Sequence, residues 1–156
     1  MGENLEPGTQ NPGYSYRNLL LWQKAQDLTL EVVNIVAQLP GDPAAQVIAR
    51  QIVAASSSVG ANVAEGHGRF TLPAHRNHLS IAKGSACETD GWLDLLRRAG
   101  YLSSEVEQRL HASCDEFIRM LMAKIRQLER LEQSKKRVGE KPSPYSVDDY
   151  ASPGRF

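Results

Sequence analysis

The stretch from Gln51 to Gly68, QIVAASSSVGANVAEGHG, constrains this chain most. It holds a single carboxylate, Glu65, no Lys or Arg, and no proline, and most of its positions are Ala, Ser, Gly or Val. Ile48, Ile52, Ala55, Val59 and Asn62 recur at steps of four and three, the spacing of one helical stripe. Small residues on the remaining faces let neighbouring backbones approach closely. This predicts a helix clasped by others on several sides. Ser58, Asn62 and Glu65 share a face beside the stripe, where an amide and a carboxylate need partners or water. Gly66 and Gly68 then read as a helix stop suited to a left-handed backbone.

The rest of the chain supplies three more helices. Leu21, Ala25, Leu28, Val32, Ile35 and Leu39 form a heptad-like seam over about 17–39, widened by Trp22, Thr29, Val33 and Val36. Asp42 and Pro43 are the N-cap and first residue of the second helix, expected over 43–65. Thr71 caps a third helix with Pro73 in its first turn. Its seam is Leu72, His75, Leu79, Ala82, Ala86, Thr89, Leu93 and Leu96. Beside it runs a second row, Ile81, Ser85, Glu88, Trp92, Leu95 and Ala99. Arg97 and Arg98 suit the C-terminal end of the helix dipole, and Gly100 closes the helix. A fourth helix starts near Ser103 or Ser104, with Ser104 and Glu107 at capping-box spacing. Its seam is Leu110, Cys114, Phe117, Leu121, Ile125 and Leu128. Four helices joined by short turns, without strand patterning, predict an all-α, antiparallel up-down four-helix bundle over 17–133. Residues 1–16 read as a flexible arm and 134–156, rich in Pro, Gly and Ser, as a disordered tail.

Composition narrows the chemistry. The chain has 156 residues, 18 Lys and Arg against 18 Asp and Glu, and a formal net charge of zero, so no overall basic excess marks a polyanion-binding protein. The N-terminal segment lacks the basic and apolar regions of a signal peptide, and no apolar run reaches membrane-spanning length. Cys87 and Cys114 form no CxxC and read as reduced packing residues. These features predict a cytoplasmic protein without a membrane partner.

Four blocks resemble the small four-helix bundle proteins encoded by intervening sequences of bacterial large-subunit ribosomal RNA genes. They are Leu21-Trp22-Gln23-Lys24-Ala25; Gln51-Ile52 with Ser58-Val59, Asn62-Val63-Ala64-Glu65-Gly66 and Gly68-Arg69; Ile81-Ala82-Lys83-Gly84-Ser85 with Glu88; and Gly100-Tyr101-Leu102-Ser103. The resemblance spans roughly Tyr16 to Leu128. It implies a bundle that assembles as a homopentameric ring, in a family most of whose members have no established activity. A more distant resemblance is to the accessory variability determinant of diversity-generating retroelements, a basic pentamer that binds nucleic acid and a reverse transcriptase. Where the family commonly has two arginines after Gln-Ile, this chain has Val53 and Ala54, which removes two cations from a nucleic-acid reading.

Two residue sets are candidates for a site. Arg69, Arg76 and Lys83 are spaced by seven, and Arg119, Arg126 and Arg130 lie opposite the apolar seam of the fourth helix. Such rows suit phosphates of RNA or DNA, or form a solvated face with scattered ion pairs. Ser58, Asn62, Glu65, Ser85 and Glu88 form the second set. Two carboxylates invite acid–base chemistry, yet no nucleophile–base pair accompanies them, so the expected role is a structural polar network between the second and third helices. The Glu-x-x-His motifs of di-iron bundles are absent. His75 and His78 have metal-compatible spacing with no carboxylate near them in sequence. Gly66-His67-Gly68 follows a helix rather than a strand, so it is not a phosphate loop. The sequence therefore predicts no catalytic residues, cofactor or metal. It predicts an oligomeric scaffold or adaptor with RNA or DNA among its partners, or alternatively a retroelement accessory protein that binds a reverse transcriptase.

Overall fold

The computed structural model describes residues 15–139. Of the predicted arm and tail, only 15–16 and 134–139 fall within it. Among these residues four α-helices form: α1 (Leu20–Val36), α2 (Pro43–His67), α3 (Leu72–Arg98) and α4 (Ser104–Gly139). No strand occurs among the described residues.

Local chemistry sets each helix end. Before α1, Asn18 and Leu19 donate back three residues to Ser15 and Tyr16, a 3-10 turn capped by the Ser15 hydroxyl. Leu19 is then extended, so α1 starts at Leu20 rather than Arg17. It ends at Val36, short of Leu39. Gln38 and Leu39 close three-residue turns, because Pro40 disfavours a helical conformation in the residue before it. At α2, Asp42 Oδ1 accepts from the backbone N–H groups of Ala44 and Ala45 at 3.1 and 3.0 Å, as predicted for its N-cap. These backbone donors, that of Ala45 foremost, hold the Asp42 carboxyl below its ordinary pKa. Tyr101 Oη donates to the same oxygen at 3.0 Å and ties the α3–α4 turn to the start of α2.

Two stops differ from expectation. α2 continues through Gly66 to His67, and Gly68 caps it in a right-handed conformation with φ −76°. Gly66 instead permits close packing. A Cβ there would lie 3.0 Å from His78 Cβ and 3.2 Å from the His75 carbonyl oxygen. Among the described residues the left-handed glycine is Gly100, with φ +81°. Tyr101 N–H donates to Leu96 O and Gly100 N–H to Arg97 O, the bond pair of a Schellman stop. α4 is capped by Ser103, whose hydroxyl accepts from Val106 N–H at 3.3 Å. The Ser104–Glu107 box is not formed, because Ser104 is already the first helical residue.

Each helix backbone lies close to its neighbours in sequence and α1 also to α4, whereas the diagonal pairs, α1 with α3 and α2 with α4, do not bring their backbones together. α2 is thus clasped on two sides. At Gly60 it lies against Ala25 and Gln26 of α1, and Thr29 Oγ1 donates to the carbonyl oxygen of Ser56 at 2.9 Å. The buried face of α2 is Ala45, Ala49, Ile52, Ala55, Ser56, Val59, Gly60, Val63 and Gly66. Ile48 and Asn62 of the predicted stripe sit half-buried at its edge.

The core has two apolar clusters. One centres on Phe117 with Ala25, Val59, Val63, Leu79, Ala82 and Leu121. The other centres on Ile52, Leu93, Leu96 and Leu110 with Leu28, Val32 and Cys114. Full burial of each large aliphatic or aromatic side chain contributes about 1.5–3 kcal/mol. The predicted α3 seam is buried from Leu79 to Leu96. The row beside it is buried only at Ser85, and Ile81 and Leu95 remain 45% and 39% exposed.

Candidate functional site

The polar set gathers at the α2–α3 junction, next to the close approach at Gly66. Ser85 Oγ donates to Ser58 Oγ at 3.2 Å. Asn62 Nδ2 donates to the Ser58 carbonyl oxygen at 2.9 Å and to Ser58 Oγ at 3.1 Å. Asn62 Oδ1 lies 3.3 Å from His78 Nδ1, and His78 Nε2 accepts from Arg69 Nε at 3.0 Å. Arg69 also forms an ion pair with Glu65, whose other carboxylate oxygen stands 3.7 Å from His78 Nδ1. The chain of contacts thus runs from Ser85 through Ser58, Asn62 and His78 to Arg69 and Glu65.

Ser58, Asn62, Glu65 and Ser85 are therefore brought together, and Glu88 is not. Its carboxylate accepts from Trp92 Nε1 at 3.3 Å on the exposed side of α3, one turn beyond Ser85, where α2 presents no partner. His78 and Arg69 are members that the sequence reading did not assign to the network. The Glu65–Arg69 spacing of four was a legible signal for one of them. His78 required knowing how α3 packs on α2.

His75 lies beside this chain, against Gly66. Its pKa is lowered, first by burial and then by the charges of Lys124, His67 and His78. Elsewhere, Asp90 accepts from His111 Nδ1 at 2.6 Å and raises the imidazole pKa. Burial pushes the Cys114 thiol up to about 12, the inert packing cysteine expected. Cys87, expected to pack likewise, is exposed on α3.

The six candidate cations divide. Arg69 is engaged as described. Arg76 Nη1 meets Glu132 at 3.0 Å and Glu129 at 4.0 Å, which ties α3 to α4. Arg119 faces Asp115 at 3.8 Å on the surface. Lys83, Arg126 and Arg130 make no ion pair among the described residues. The structure does not merge the α3 and α4 rows into one basic face, because Glu129 and Glu132 stand between them.

A depression of about 560 Å³ at the α1–α4 edge is lined by residues including Glu31, Tyr101, Ser103 and Arg109. Its charged groups are spent on one another, Arg109 on Glu31, and Ser103 is committed to its cap. No group of three metal-ligating side chains occurs among the described residues. No helix among them is long and apolar enough to cross a membrane.

Comparison with known proteins places this geometry. No curated protein matches the chain. A crystal structure from Bacteroides thetaiotaomicron, described as a protein with unknown function from the S23 ribosomal protein family, is similar with a TM-score of 0.64 and 27% identity. The match covers 68% of this chain and 98% of that one. The family model described as 23S rRNA-intervening sequence protein matches residues 17–123, from the turn before α1 well into α4. The chain belongs to the 23S rRNA-intervening sequence protein family.

Proposed function

We propose that this protein is a non-enzymatic scaffold that works as a closed homo-oligomer, five copies by the family resemblance, with nucleic acid among its partners. The helices are taken to run up and down in turn. Contacts in support pair residue numbers that rise in one helix as they fall in the next: Lys24 with Glu116 and Glu31 with Arg109, or Ser58 with Ser85 and Asn62 with His78.

One observation carries the assembly. Gly84 and Gly91 lie in the interior of α3, and a Cβ on either would meet nothing within 4 Å. Each glycine costs a helix about 1 kcal/mol relative to alanine, and nothing within the bundle requires that cost. Seven residues apart, they share a face with Leu95 and are flanked by Ile81. Exposed apolar surface of this kind marks interfaces, and a helix row without Cβ atoms lets another backbone approach. A second copy with the same apolar surplus, such as Leu30 and Val33 on α1 at 60% and 43% exposure, is the occupant this reading names. Cyclic closure covers every such face without leaving an open edge.

The non-enzymatic reading rests on how the polar groups are used. Ser58, Asn62, Glu65 and Ser85 are taken as a structural network, each with its hydrogen-bonding capacity directed at a neighbour. Static light scattering on the full chain tests the assembly, and a monomer mass at micromolar concentration rejects it. Nucleic acid is the second element, supported by Lys83, Arg126 and Arg130, which make no ion pair among the described residues.

A further inference from the structure

The outer side of α4 carries a row of arginines that bundle packing does not use. Arg119, Arg126, Arg130 and Arg137 follow one another at steps of seven, four and seven, and all are exposed. At about 100° per residue they fall within roughly 20° of a common line, and the row runs about 27 Å along the helix. Arg126 and Arg130 make no ion pair among the described residues, and the contact of Arg119 with Asp115 is long and solvated. Between Arg119 and Arg137 the row is flanked by the neutral Met122, Ala123, Gln133 and Ser134, and acidic residues stand beside it only at its N-terminal end, where Asp115 faces Arg119 and Glu116 pairs with Lys24 of α1. The carboxylates of this part of α4 point elsewhere: Glu129 and Glu132 are drawn toward α3 by Arg76.

We propose that this face of α4 is where the protein holds nucleic acid, by guanidinium contacts to the phosphate backbone. The inference rests on the nucleic-acid element of the proposed function and narrows its site. Arg69 and Arg76 are left out because carboxylates hold them within the fold, and Lys83 because it stands alone on α3. A planar guanidinium forms paired hydrogen bonds with phosphate oxygens. A straight, rigid row approaching the length of one duplex turn of about 34–36 Å favours a long polyanion over a mononucleotide. With neutral residues beside it, the row has no group arranged to read base edges, so binding is set by backbone charge rather than by sequence. Arg137 was the member missed in sequence, because the predicted helix frayed at Gln133.

The test uses the full chain with a duplex DNA, a hairpin RNA and a single strand, each over a salt series. Four phosphate contacts per protomer give a log–log salt slope of about −3.6 on duplex DNA, so a fourfold rise in salt weakens binding roughly a hundredfold. Arg126→Glu/Arg130→Glu should at least halve the slope and abolish binding at moderate salt, with helicity and oligomeric mass unchanged. Arg17→Glu/Arg50→Glu removes the same charge from other, exposed faces and should bind like the parent. If the α4 variant binds like the parent, this site is wrong while nucleic-acid binding stands. If the parent binds none of the three probes at low salt, both readings fall. Equal competition by anionic phospholipid vesicles would overturn nucleic acid as the occupant.

Discussion

Asn62 Oδ1 on α2 faces His78 Nδ1 on α3 at 3.3 Å, and Arg69 Nε donates to the other ring nitrogen at 3.0 Å. Because Nε2 accepts, the ring proton sits on Nδ1 and donates to the amide oxygen. That orients Asn62, whose Nδ2 then donates to Ser58. Asn62→Leu suits the helix and the nearby core yet leaves His78 without its acceptor. The expected loss is about 1–3 kcal/mol in denaturant unfolding. Glu88→Gln, outside the network, should stay within about 0.5 kcal/mol of the parent. An Asn62→Leu variant as stable as the parent would remove the network from the account.

Gly66→Ala tests the close approach of α2 and α3. The new Cβ would lie 3.0 Å from His78 Cβ and 3.2 Å from a backbone oxygen of His75, neither of which is the free end of a flexible chain. Overpacking of this kind costs about 1–3 kcal/mol, more than the helix gains from alanine. An increase in melting temperature would contradict it.

The fold was legible because caps and apolar spacing agree. Asp42, Thr71 and Gly100 act where they were placed, and the seams are buried along their middle lengths, from Ala25 to Ile35 on α1, Leu79 to Leu96 on α3 and Leu110 to Leu121 on α4, with Leu21, Leu39, Leu72, His75 and Ile125 half-buried. What misled was size. On α2 the close approaches to neighbouring helices fall at Gly60 and Gly66, with Ser56 fully buried on the same face; these residues lack the bulk that periodicity arguments follow, so the predicted stripe drew in Ile48 and Asn62 at its edge. The polar set was legible within each helix and not between them. Ser58 with Asn62, or Glu65 with Arg69, follows from a spacing of four. That Ser85 reaches Ser58 and Glu88 does not depends on how α3 turns against α2.

Two histidines should respond to pH in opposite senses. His111 has its pKa raised above 6.5 by Asp90. Its contribution is complete below 6.5 and is lost as pH rises through the raised value. His75 has its pKa lowered by burial first. Its contribution is present above 6.5 and is lost as pH falls through the lowered value. Proton NMR titration should therefore give His111 the higher midpoint, and His111→Gln should remove the alkaline-side loss. The reverse order of midpoints would contradict both assignments.

Gly84→Ala and Gly91→Ala separate the bundle from its assembly. Open space surrounds both positions within one copy, so each substitution should stabilise an isolated bundle by up to about 1 kcal/mol. In the proposed assembly the same methyl groups hold neighbouring backbones apart. Dissociation on dilution should then occur at higher concentration for the double variant than for the parent. Unchanged dissociation would free this face from any interface.

Sedimentation equilibrium of the full chain and of Ile81→Glu/Leu95→Glu tests the assembly most directly. Both side chains are already partly exposed in one copy, so the substitutions should leave helicity intact. The account predicts a closed oligomer for the parent, five copies by the family resemblance, and a monomer for the variant. A monomeric parent at micromolar concentration, or a variant that keeps the parent's mass, would contradict it.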